Sequence, residues 1–224
     1  VHVAGVNGLL HVGIDGDGLV RQELHGGGTG YAGSRLAREA VSRGHKATSF
    51  TRSLPEESVE GVDYRAGDLL DATFLASAFE DADVVISALS PRGTMSDDTL
   101  FRTLLKDAAR VAAERGVRFG VIGGAGSLFT EEGGPLYVDT PDFPEFARAE
   151  SRTLGGVLED LQANSDEQLD WFMVSPAAEF GAHVPGTRTG HYRVGNDVLL
   201  YDDNGVSAIS GDDLAIAIVD EIEK

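Results

Sequence analysis

The 224-residue chain contains no cysteine. That excludes disulfides, thiolate metal sites and a cysteine nucleophile. Positive charge is scarce: 18 Lys and Arg stand against 37 Asp and Glu, a net charge of −19. Neither nucleic acid nor an anionic membrane is therefore expected as a partner, since both call for a basic face. No apolar run approaches the roughly 20 residues that a bilayer span needs. No basic stretch followed by an unbroken apolar one opens the chain, so no signal peptide is expected and a cytoplasmic location is. Lysine is confined to Lys46, Lys106 and Lys224. Four positions after the tyrosines Tyr31, Tyr64, Tyr137, Tyr192 and Tyr201 stand Arg35, Asp68, Pro141, Asn196 and Gly205. A Tyr-x-x-x-Lys pair, in which the lysine readies the tyrosine for acid–base work, is thus missing. The histidines show no H-x-x-x-H spacing, so a metal site is not expected. Ser127, in Gly124-Ala125-Gly126-Ser127-Leu128, and Ser175 both fall outside the G-x-S-x-G pattern of an esterase-type nucleophile.

What remains is a globular composition, 42% hydrophobic and 25% charged with 29 glycines. From about residue 26, short apolar runs alternate with helical patterns. Runs at 46–50, 82–89, 117–122 and 169–174 read as strands; 34–43, 72–79, 97–115 and 147–163 read as helices. Gly44 suits the end of the first helix, and Ser96 is a candidate N-cap for the third. The alternation predicts an α/β fold with a doubly wound parallel sheet. Loops at 133–144 and 181–190, the latter carrying Thr187, Arg188 and Thr189, follow strand ends and are candidate substrate walls. The first 25 residues are left unassigned, as a possible divergent first strand. Gly5, Gly8 and Gly13 interrupt their strand-like part, and the polar 19–25 would make a half-exposed strand at best.

The strongest local signal is Gly27-Gly28-Thr29-Gly30-Tyr31-Ala32-Gly33 at the start of a helix. Its G-x-x-G-x-x-G spacing allows a tight turn, close backbone approach to a pyrophosphate and close helix–sheet packing. The helix N-terminus adds free N–H groups for the phosphates. About 20 residues on, a dinucleotide site for NAD would carry an acid for the ribose hydroxyl. This chain has Arg52 there instead, which favours the extra phosphate of NADP, with NAD as the alternative. Asp68 either faces the adenine or ends a strand.

The ordered set GGTGYAGSRLAREAVSRGHKATSFTR, GDLLD, ADVVISALSP, VIGGAGSL, WFMVSPAAEF and TGHYRVGNDVLL followed by ISGDDLAIAIVDEIE resembles atypical short-chain dehydrogenase/reductases with an NmrA-like NAD(P)H-binding domain. It is most similar to the subgroup described as "putative NADH-flavin reductases". The resemblance covers about 26–223 and implies one Rossmann-like domain with a small C-terminal substrate lobe. It implies that Gly27, Thr29, Gly30, Tyr31 and Gly33 line the pyrophosphate. Arg52 would meet the adenosine ribose or its phosphate, and Asp68 and Leu69 the adenine. Ala88, Leu89 and Ser90 would line the ribose and nicotinamide side. Gly124, Ala125 and Ser127 would lie beneath the nicotinamide, and Ser175, Pro176 and Ala177 at its carboxamide end.

The function so implied is hydride transfer from NAD(P)H to a planar acceptor such as a flavin or quinone, with flavin a substrate rather than a resident group. Ser127 is the candidate catalytic residue, orienting the acceptor. Phe129, Phe143, Phe146, Trp171 and Phe180 are candidate apolar walls, and Arg148, Arg152 and Arg188 candidate local counter-charges. Two alternatives stand: a non-catalytic NAD(P)-binding redox sensor, and an epimerase or dehydratase, against which the missing Tyr-x-x-x-Lys weighs.

Overall fold

Runs rich in β-branched and aromatic residues form the centre of the sheet. Val84–Ser87 is buried at every position, and Arg118–Ile122 at all but its first. The computed structural model describes residues 2–5, 9–13, 30–55, 58–164 and 166–224. In chain order the strands are β1 (His2–Gly5), β2 (Leu9–Gly13), β3 (Lys46–Thr51), β4 (Val62–Ala66), β5 (Val84–Ser87), β6 (Arg118–Ile122) and β7 (Trp171–Val174). The helices are α1 (Tyr31–Ser42), α2 (Ala72–Ser77), α3 (Asp98–Arg115), α4 (Glu145–Gln162) and α5 (Gly211–Ile222).

The strand order is β4-β3-β1-β2-β5-β6-β7. Parallel pairs join β1 to β3, β3 to β4, β5 to β6 and β6 to β7. One strand departs from the parallel expectation: β2 runs antiparallel to both β1 and β5. A connection as short as residues 6–8 can only return the chain antiparallel, because a parallel return needs a crossover of a dozen or more residues. Two turns of direction leave β1 and β5 pointing the same way. The carboxyl ends of β3, β4, β5, β6 and β7 therefore share one edge. Gly5 and Gly13, which break the strand pattern in the sequence, are the last residues of β1 and β2. The polar stretch 19–25, Gly27 and Thr29 lie outside the described residues.

Strand β4 is only implied in the sequence by the position of Asp68. It is one of the two end strands of the sheet as described, with alternating half-exposed residues and an Arg65–Asp63 ion pair at 3.3 Å. Its polarity hides it from a search for apolar runs. Helix α1 starts at Tyr31, earlier than the apolar spacing suggests, so Gly33 is a buried residue of its first turn. The N-cap of α3 is Asp97, whose carboxylate accepts from Leu100 N at 2.8 Å. Ser96, the expected cap, instead donates to the Gly93 carbonyl at 2.8 Å. Gly116, at φ 64°, closes α3 in the left-handed conformation that glycine adopts without strain.

Phe50, Phe79, Phe101, Phe119, Leu36, Ile86, Leu105 and Ile218 are fully buried and anchor the core. Helix α1 packs on α5, and α3 on α4. Where α1 meets α5, a Cβ on Gly211 would lie 2.4 Å from Arg35 Cδ and 2.8 Å from the Tyr31 ring. Gly211→Ala is accordingly expected to cost about 1–3 kcal/mol through overpacking, read as a lower midpoint in urea unfolding. Between β7 and α5, residues 175–210 form a lobe of turns and isolated bridges, including Phe129↔Val198 and Glu179↔Ala208. Among the described residues, no helix is long and apolar enough to cross a membrane.

Candidate cofactor site

At the shared carboxyl edge of the strands lies a cavity of about 830 Å³. That is within the range of small-molecule and cofactor sites. The start of α1 forms one end of it, through Gly30, Tyr31 and Ala32. Unlike α5, which has a Ser210 cap and Asp212 and Asp213 in its first turn, α1 has neither a side-chain cap among the described residues nor an acid in its first turn. Its first N–H groups and positive dipole end are thus left to an anion.

Arg52 follows β3 into the same cavity. It has no ion pair with a described residue; its Nη1 donates to Thr94 Oγ1 at 2.7 Å. Asp68 and Leu69, beyond the end of β4, line the cavity beside it. Asp68 settles into a turn, its carboxylate accepting from Leu70 N at 3.0 Å. Ala88, Leu89 and Ser90 enter from the end of β5, Gly124 and Ala125 from β6, and Pro176 and Ala177 from β7. Five chain segments far apart in sequence thus converge with the start of α1 where the parallel strands end.

Three predicted residues are placed elsewhere. Gly33 is buried within α1. Ser127 and Ser175 line a neighbouring cavity of about 1270 Å³, bounded by α4, β7, α5 and the lobe. The Ser127 hydroxyl donates to the Gly124 carbonyl at 2.9 Å and lies 3.0 Å from Ser175 Oγ. Its proton is spent on the backbone rather than on the first cavity. Ser151 Oγ, buried without a hydrogen-bond partner among the described residues, belongs to the wall that the two cavities share.

The Tyr31 hydroxyl has a role that the glycine motif did not indicate. It donates to the Pro185 carbonyl at 2.6 Å and accepts from Gly211 N at 2.9 Å. Its ring stacks edge-on with Phe180 at 5.3 Å, and Arg35 lies 4.0 Å over it. The start of α1 is thereby tied to the lobe.

Of the expected apolar walls, Phe143, Phe146 and Phe180 line the first cavity and Phe129 the second. Trp171 lines neither and packs against the core. The 133–144 loop contributes Tyr137, Phe143 and Pro144 to the first cavity, so it does form a wall. Burial pushes the Tyr137 phenol above its ordinary pKa, and nearby Tyr201, Asp142 and Glu179 add to the effect; the phenol keeps its proton at neutral pH. Residues 181–183 of the second loop reach the first cavity. Arg188 and Thr189 turn away to Glu39 at 2.8 Å and Asp213 at 3.0 Å. Arg148 and Arg152 are engaged by Glu145 and Asp139, at 2.8 and 2.9 Å.

Sequence reasoning missed Glu150, Arg92 and Thr94. Glu150 is on the face of α4 that carries Ala147 and Leu154 into the cavity. An acid at helical spacing among small and apolar residues was the available signal.

An α/β sheet with a phosphate-ready helix start and a cavity at its carboxyl edge defines a Rossmann-type nucleotide-binding protein. A family model for NAD(P)H-binding proteins matches residues 27–224. The chain belongs to this NAD(P)H-binding family, which is related to the NmrA-like and short-chain dehydrogenase/reductase proteins. It is 32% identical over 203 residues to YwnB of Bacillus subtilis, an uncharacterized protein, covering 88% of this chain and 90% of that one. Among solved structures it resembles one from Streptococcus pneumoniae described as "a putative NADH-flavin reductase". That match has a TM-score of 0.75, 32% identity and coverage of 87% and 89% of the two chains. It also resembles a "putative exported protein" from Burkholderia pseudomallei, with a TM-score of 0.73, 38% identity and the same coverages of 87% and 89%.

Proposed function

We propose that the protein is an NADPH-dependent reductase that passes hydride to a planar acceptor of the flavin or quinone class. The observation that carries this reading is Arg52. Among the described residues it is a cation without a carboxylate partner, in the same cavity as the start of α1, which has no side-chain cap there. The two suit the phosphates of a dinucleotide, one at the pyrophosphate and one at the adenosine ribose. When bound, the nicotinamide supplies the hydride. The chain's own residues hold and shield it. Pro176, Phe143 and Phe180 exclude water, and the uncharged backbone at Gly124 and Ala125 permits close approach. In this reading Ser127 ties the Gly124 carbonyl to Ser175 and holds the ends of β6 and β7 at a fixed spacing, a positioning role rather than a contact with the acceptor. An acceptor that takes its proton from solvent needs no Tyr-Lys pair, and proximity in a dry pocket carries much of the rate. The S. pneumoniae likeness supports the flavin class.

The test is NADPH oxidation over FMN, FAD and a simple quinone. Turnover with at least one, lowered at least tenfold by Gly30→Asp, supports the enzyme. Tight NADPH binding without turnover on any of them favours a non-catalytic redox sensor. The absence of a cavity-facing proton from Ser127 is the observation that keeps the sensor in view.

A further inference from the structure

Glu150 projects from α4 into the cavity, its side chain 19% exposed. Both of its oxygens are taken by the segment that follows β5. Ser90 Oγ donates to Oε1 at 2.8 Å, and Arg92 Nε donates to Oε2. Two positions further, Thr94 accepts from Arg52 at 2.7 Å. The 90–94 segment thus crosses the cavity wall tied at one end to Glu150 and at the other to Arg52.

The donor sense of the Ser90 bond decides what this wall recognises. A hydroxyl has one proton and two acceptor lone pairs. A carboxylate beside Arg92 accepts only, so the Ser90 proton is committed to Glu150. Towards the cavity Ser90 is left with lone pairs. A ligand group opposite it must bring its own hydrogen: a ribose hydroxyl, a carboxamide N–H or a ring N–H.

We infer that Glu150 is a positioning residue, which fixes Ser90 as an acceptor for an O–H or N–H donor of the bound ligand. This rests on the dinucleotide reading of the cavity. The donor belongs either to the nicotinamide half of the cofactor or to the acceptor, and affinity measurements separate the two sources. The role requires geometry rather than charge: Glu150→Gln retains an oxygen for the Ser90 proton, whereas Glu150→Ala frees the hydroxyl to turn.

The experiment combines calorimetric NADPH titration and the KM for FMN in the native protein, Glu150→Ala, Glu150→Gln, Ser90→Ala and the Ser90→Ala/Glu150→Ala pair. Glu150→Ala is expected to weaken one of the two ligands about tenfold, the magnitude of one neutral hydrogen bond. A rise in the NADPH Kd places the donor on the cofactor. A rise in the FMN KM with NADPH affinity kept places it on the acceptor. Glu150→Gln is expected to stay within about threefold of native, and the double variant to be no worse than Ser90→Ala alone. A purely structural role would produce neither the rescue nor the non-additivity. Unchanged affinities in Glu150→Ala, or additive losses in the pair, overturn the inference while leaving the reductase reading intact. Failure of the native protein to bind NADPH or NADH overturns both.

Discussion

Alanine at position 52 is expected to remove the preference for NADPH over NADH, weakening NADPH about ten- to a hundredfold and NADH less than about twofold. The two nucleotides differ only in the phosphate on the adenosine ribose. Arg52 stands at the end of β3, where that ribose lies in a Rossmann-type sheet. No described carboxylate competes for it, and its one side-chain partner among the described residues is the neutral Thr94 hydroxyl. A guanidinium meeting a phosphate makes charge-assisted bonds worth about 1.5–3 kcal/mol. With no net attraction elsewhere on a chain of charge −19, this loss is hard to mask. The preference should also shrink with added salt, because Arg52 is exposed. Equal weakening of both nucleotides in Arg52→Ala would place the guanidinium away from the extra phosphate.

Asp213→Asn is expected to destabilise the fold by about 2–4 kcal/mol. The carboxylate is 3% exposed and gathers donors from three sides. Ser210 Oγ donates at 2.8 Å, Gly190 N at 2.8 Å, and the Thr189 hydroxyl and N at 3.0 Å. An amide would turn one acceptor into a donor facing other donors. Burial alone would raise the Asp213 pKa, but the bonds from Ser210, Gly190 and Thr189 outweigh it and hold the pKa below the ordinary carboxylate value. The sign follows from linkage. A depressed folded pKa contributes stability that is present above the unfolded value of about 3.9 and is lost as pH falls through the folded value. Asp220, held down by Tyr192 and Arg43, and Asp160, held down by Arg102 and Lys106, act in the same direction. Urea unfolding at pH 7 and pH 3 checks both points: the native protein loses stability on acidification, and Asp213→Asn loses less. Equal acid sensitivity in the two would contradict the assignment. Because Asp213 secures residues 189–190 of the lobe, nucleotide affinity should fall less than stability does.

Strands β5 and β6 were legible in sequence to within a few residues, because burial on both faces leaves a nearly continuous hydrophobic signature. The polar but buried β3 and the half-buried β7 were marked instead by the residues that bound them, Gly44 and Arg52 for one and Ser175-Pro176 for the other. Strand β4 was not legible, since an edge strand tolerates Asp63 and Arg65. The β1–β2 hairpin could not be read either: its glycines look like interruptions until the strands are seen to end on them. Of the site, the residues beyond β3, β5, β6 and β7 came through because each follows a run read as a strand, whereas Asp68 and Leu69 were marked by Gly67 and not by a readable β4. Glu150, Arg92 and Tyr137 did not. They reach the cavity through tertiary packing of α4 and the loops, which periodicity does not encode. Ser127 shows the opposite failure. Its glycine-rich neighbourhood is conspicuous in sequence, yet the hydroxyl turns back onto Gly124.

The central claim is that the cavity at the strand ends takes NADPH through Arg52 and the start of α1. Calorimetric titration of the native protein with NADPH and NADH tests it most directly, since Trp171 does not line the cavity and need not report binding. The account predicts saturable one-site binding, tighter for NADPH than for NADH. Binding of neither nucleotide, or a preference for NADH, would contradict it.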